Sequence, residues 1–133
     1  MTQEEKTLLL KDLCARLPYG VCVHIRYKEG EPCYGKLTPR DIQWFIDSNI
    51  ENIKPYLRPM SSMTEEEKEE IALIRDRDFQ SVRKWFRNES IKETGNICPI
   101  TCGEIDYCNK KHLDYRGLIP MGLALEASKD MYN

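Results

Sequence analysis

Three rhythms of hydrophobic and polar residues run along the chain, and each predicts a different kind of element. Leu10, Leu13, Cys14 and Leu17 recur at i, i+3, i+4 and i+7, the spacing of one apolar helix face. Thr2-Gln-Glu-Glu5 stands ahead of them as a capping box, and Pro18-Tyr-Gly20 ends the element. Cys14 lies inside the stripe and is expected in the core. From Gly20 the rhythm becomes strict alternation, with Val21, Val23, Ile25 and Tyr27 on one face and Cys22, His24 and Arg26 on the other. That is the pattern of a half-exposed strand. A turn at 28–31 lets residues 33–37 return as the hairpin partner.

Residues 38–47 fit two rhythms. Thr38-Pro-Arg-Asp41 offers an N-cap, a proline at the first helical position and an acid at the third, followed by Ile42, Phe45 and Ile46. The alternation of Ile42, Trp44 and Ile46 would equally suit a strand. The cap tips the balance slightly towards helix. Residues 50–57 then read as a short extended segment that leaves the sheet at Pro55.

The second half is helical in rhythm. Thr64-Glu-Glu-Glu67 is another capping box, and its acidic run suits the positive end of a helix. Phe79, Val82 and Phe86 continue an apolar stripe, with a bend expected near Asp76-Arg-Asp78. Thr101-Cys-Gly-Glu104 caps a last helix carrying Ile105, Cys108 and His112. Beyond it Leu113, Leu118, Ile119, Met121, Leu123 and Leu125 are too apolar for a free end, so they dock on the core or form an interface. The fold expected is α+β in one domain spanning 1–133. Residues 1–60 supply an N-terminal helix on a small antiparallel sheet, for which an SH3-like arrangement is one form. Residues 61–133 supply a helical half with an apolar tail.

Composition narrows the classes. With 41% apolar and 32% charged residues in 133, the chain can build a modest core under a solvated surface. Its 20 basic and 22 acidic residues leave a net charge of −2, so nucleic-acid binding needs a local basic patch. The acidic start Met1-Thr-Gln-Glu-Glu-Lys6 is no signal peptide and no apolar run reaches membrane-spanning length, so a cytoplasmic protein with no membrane contact and reduced cysteines is expected.

Candidate chemistry is concentrated near the C-terminal helix. Cys98, Cys102, Cys108 and His112 are spaced C-x3-C-x5-C-x3-H, and thiolates with a neutral imidazole are a zinc ligand set. The predicted helix weakens that reading, because Cys108 and His112 share a face at i, i+4 whereas Cys102 does not. Small buried apolar cysteines are the alternative. Arg83, Lys84, Trp85 and Arg87 form a basic-aromatic stretch that would engage phosphates and bases, or else rim a helix core face. Trp44 is a further interface candidate, since large aromatics often anchor binding. No glycine-rich phosphate loop, nucleophile elbow or H-E-x-x-H occurs. Asp106 and Asp114 flank His112 as a conceivable acid–base pair. The expectation is no enzyme.

Several words of the sequence carry a resemblance. They are Met1-Thr-Gln-Glu-Glu-Lys6 with residues 8–20, the stretch Ile53-Lys-Pro-Tyr-Leu-Arg-Pro-Met-Ser-Ser-Met-Thr-Glu-Glu-Glu67, and Asp114-Tyr-Arg-Gly-Leu-Ile119 with Gly122-Leu-Ala-Leu-Glu-Ala127. In these the chain resembles small uncharacterised proteins of Bacteroides-type gut bacteria and their phages or mobile elements. Where that family shows Trp-Leu-Asn-x-His, this chain has Tyr107-Cys-Asn-Lys-Lys-His112, which implies a core position for Cys108. The resemblance implies an origin and no activity. From that origin follows the expectation of a non-catalytic, protein-binding accessory factor. A host-directed anti-defence protein, such as an inhibitor of a CRISPR effector, is one form of it, with a host protein or protein–nucleic-acid complex as partner. The alternative is a small nucleic-acid-binding regulator, stabilised by zinc if the cysteine cluster binds it.

Overall fold

Among the described residues, each of the four α-helices starts from a four-residue cap. The structure is a computed structural model that describes residues 1–82 and 101–132. In α1 (Gln3–Arg16) the Thr2 hydroxyl accepts from the Glu5 N–H while the Glu5 carboxylate accepts from the Thr2 N–H. Thr38 and Asp41 repeat this reciprocal pair for α2 (Pro39–Ile46), and Thr64 and Glu67 do so for α3 (Glu65–Val82). Thr101 caps α4 (Cys102–Lys110) through the Glu104 N–H. Each pair satisfies backbone donors that the helix geometry leaves open. The cap thus decides 38–47 in favour of helix.

The buried face of α1 is Leu9, Asp12, Leu13 and Arg16, which corrects the expected stripe. Cys14 is exposed. The reason is a buried ion pair: Arg16 Nε donates to Asp12 Oδ2 at 2.9 Å, and both side chains are fully inside. Arg16 also donates to the Leu113 carbonyl at 2.6 Å, and Arg116 Nε reaches the other Asp12 oxygen at 3.1 Å. Two polar residues therefore occupy core positions one turn apart, and the helix rotates to bury them.

Strands β1 (Cys22–Tyr27), β2 (Cys33–Lys36), β3 (Ile50–Leu57) and β4 (Leu125–Glu126) form a sheet of order β2-β1-β3-β4. The first two pairings are antiparallel and β3–β4 is parallel, so the sheet is mixed where an antiparallel one was expected. Its linear order leaves it open, unlike an SH3-like barrel. β3 does not leave the sheet at Pro55, which stands opposite Val23. Leu57, two residues on, turns its carbonyl to the β4 side, where it accepts from Ala127 N–H at 2.8 Å. Pro55 shares that parity, so its missing N–H falls outside the β1 ladder and before β4 begins.

One face of the sheet carries the main core: Val21, Val23, Ile25, Ile53 and Leu57 pack with Leu9 and Leu13 of α1 and Ile42 and Phe45 of α2. A second cluster joins Met63, Ile71, Tyr107, Cys108 and Leu113. Between them the chain crosses at Arg58, whose N–H donates to the His112 carbonyl at 2.7 Å and whose carbonyl accepts from Asp114 N–H at 2.8 Å. Both Asp114 oxygens then accept backbone N–H groups, from Leu118 at 2.8 Å and Ile119 at 2.9 Å. Gly117 takes a left-handed φ of 73° in that turn, which drops Leu118 into the main core. The tail docks as expected through Leu118 and Leu123, while Met121 stays exposed.

Candidate binding surface

Alternation along β1 buries one face and presents the other. On the presented face the register sets Lys36 beside Cys22, Tyr34 and Lys54 on either side of His24, and Asn52 beside Arg26. Side chains of directly opposed residues share a face and lie close enough to act together. The Tyr34 and Tyr56 rings meet edge to face at 5.5 Å across β1, and Cys22 on that strand is buried. Tyr34 is 58% exposed, Lys36 and Arg26 are exposed, and His24, Lys54 and Tyr56 are half-buried. Arg26 reaches Glu51 at 3.8 Å in a loose, open pair. Lys36 and Lys54 form no ion pair among the described residues. The strand rhythm announces His24 and Arg26 as outward-facing; Tyr34 and Tyr56 join them only through a pairing register that rhythm does not contain.

One end of this face is closed by the tail. The Cys22 N–H donates to the Tyr132 hydroxyl at 3.0 Å, and that hydroxyl donates to the Tyr56 carbonyl at 2.5 Å. In an antiparallel ladder with Val23 opposite Pro55, Cys22 and Tyr56 would bond directly; the phenol stands between them instead. The Tyr132 ring stacks on His112 at 3.7 Å.

Beside that stack lies a cavity of about 730 Å³, lined by Arg58, Glu67, Lys110, Lys111, His112 and Tyr132 among others. Arg58, Glu67 and Tyr132 of its lining are engaged in holding the structure. Arg58 forks onto Glu67 at 2.9 and 2.7 Å and donates to the Ser62 carbonyl at 3.1 Å. The Arg58 hydrogen bonds hold the Glu67 carboxyl down at about 2. Burial, with Arg16 and Arg58 nearby, lowers His112 to about 4, so its ring is neutral near pH 7. Asp114 gives both oxygens to its loop and Asp106 is exposed, so the structure does not assemble the acid–base pair with His112.

The cysteine–histidine set is dispersed where it is described. Cys102 is exposed at the first position of α4, Cys108 is wholly buried in the second core cluster, and His112 lies past the helix end at φ 60°. Among the described residues no group of three or more His, Cys, Asp or Glu side chains could hold a metal ion. Cys98 lies outside the described residues, as do Arg83, Lys84, Trp85 and Arg87. Trp44 is half-buried on α2, edge-on to Tyr27 at 5.6 Å, with the Arg40 guanidinium 4.9 Å from its ring centre. It packs against the main core, away from the presented sheet face. Among the described residues no helix is long and apolar enough to cross a membrane.

Comparison with protein-family models, with curated proteins and with solved structures finds no match to this chain.

Proposed function

We propose that this protein is a non-catalytic binding protein that presents the outer face of its sheet to a macromolecular partner. The observation that carries this reading is the contrast between the two faces. One is filled by α1 and α2, and the other displays Tyr34, Tyr56 and His24 among Lys36, Lys54 and Arg26. Rigid aromatics on a regular element lose little entropy on binding and are frequent anchors. The engagement of Asp114, Glu67 and Arg58 in structural bonds supports a non-catalytic role. The resemblance to proteins of phages and mobile elements read in the sequence is what favours a host-directed task, such as blocking a defence effector.

A photo-cross-linking residue placed at position 34, compared with one at the exposed Leu73 of α3, tests the surface. A discrete adduct from position 34 that Lys36→Glu with Lys54→Glu abolishes is the expected result. Equal adducts from both positions, or none from either, would discard the reading.

A further inference from the structure

We infer that the outer sheet face is a stacking platform for single-stranded nucleic acid, with Tyr34 and Tyr56 receiving bases and Lys36, Lys54 and Arg26 receiving phosphates. The inference rests on the proposed binding face and names its partner class.

Charge complementarity is the first support. The chain as a whole carries −2, yet the strands of this face bring Arg26, Lys36 and Lys54 together, with Glu51 and Glu5 confined to the hollow at the β3 edge beside Arg26 and Lys54. Much of the acid lies elsewhere, in the run from Glu65 to Glu70 on α3. The exposed Glu29 and Glu31 sit in the hairpin turn beyond Arg26 and bound the basic track at that end.

Geometry is the second support. Lys36 and Lys54 stand on strands either side of β1, so a backbone crossing the sheet meets a cation on each flank of the rings. An edge-to-face pair leaves ring surface uncovered, and Tyr34 is the most open large aromatic of this face. A flat sheet receives bases only when they are unstacked and turned outward, which selects single strands over duplex. Strands about 4.8 Å apart give the three-stranded face room for about two or three nucleotides. His24 between Tyr34 and Lys54 adds a hydrogen-bonding edge beneath the same bases.

The test is fluorescence anisotropy with labelled 12-nucleotide oligo-dT and oligo-rU in low salt. Binding is expected to fall with log salt at a slope of about −2, from about −0.7 per phosphate contact on a single strand. Tyr34→Ala is expected to weaken it about tenfold or more. Lys36→Glu should weaken it comparably, whereas Lys11→Glu, an equal charge change on exposed α1, should leave it unchanged. Circular dichroism confirms that each variant is folded. Absence of binding, equal loss in all three variants, or equal competition by a duplex hairpin would each overturn the inference. If no oligonucleotide binds but position 34 cross-links specifically to a protein, the nucleic-acid assignment falls and the binding face stands. If neither occurs, both fall.

Discussion

The sheet half and the helical half of this molecule are held by different forces. Beneath the sheet the core cluster is made of Val, Ile, Leu, Phe and one Ala, and their stabilisation is non-directional burial of apolar surface. The helical half and its seam are tied by forks and buried charges. Arg75 grips the fully buried Glu104 at 2.7 Å with each of two nitrogens, Arg58 grips Glu67, and Arg16 and Arg116 share Asp12. Such pairs add little net stability over apolar residues of the same size, but losing one partner strands a buried charge. Apolar burial supplies the bulk of the stabilisation, while the forks fix where the parts sit and penalise any loss of a partner.

The sharpest way to break this contrast is Asp12→Ala. It leaves the buried Arg16 without its carboxylate, and a loss of about 3–5 kcal/mol is expected in urea unfolding. Ile53→Ala, in the apolar half, should cost about 2–4 kcal/mol by the same measurement. An Ile53→Val variant should recover most of that loss, because apolar burial scales with volume. No conservative variant should rescue position 12, because the tie is directional.

Acid should weaken the seam before the sheet. Above pH 6.5 the His112 ring is neutral in both states. Between 6.5 and about 4 the unfolded chain takes up a proton that the folded one refuses, so stability declines as pH falls through that window. Glu67 extends the decline. Its folded value near 2 against an ordinary 4.5 gives stability that is present above 4.5 and lost as pH falls towards 2. His112→Asn keeps a residue tolerant of the left-handed backbone, and it should flatten only the upper limb of a stability–pH curve.

How much of this was readable in advance follows from locality. Capping boxes at Thr2, Thr38 and Thr64 are contained in four residues, and all three helices begin where those words stand. Periodicity misplaces the face of α1, because Asp12 and Arg16 look like solvent positions until Arg116 and the Leu113 carbonyl are brought to them. The parallel β4 is invisible for the same reason, since two residues from the tail carry no rhythm of their own. At the candidate face, alternation pointed His24 outward, and the ring pair of Tyr34 and Tyr56 depended on register. The word Asp114-Tyr-Arg-Gly-Leu-Ile119 has a structural role that only the fold reveals: a carboxylate closes a turn, and an arginine crosses to α1.

Tyr132→Phe removes the hydroxyl between Cys22 and Tyr56 and should cost about 1 kcal/mol, with faster exchange of the Cys22 amide proton. Arg26→Ala, breaking an open surface pair, should change stability by less than about 0.5 kcal/mol.

The Tyr132 bridge also bears on the order in which the chain assembles. Its two hydrogen bonds span 110 and 76 positions, whereas the helix caps span three. Closing loops of that length is entropically costly until the pieces they join already exist. Capped helices and the β1–β2 hairpin are therefore expected to form early and the tail to dock late, so that Tyr132→Phe speeds unfolding in stopped-flow measurements and leaves the folding rate nearly unchanged. Interactions made after the transition state govern how fast a protein opens and leave the rate at which it forms almost untouched.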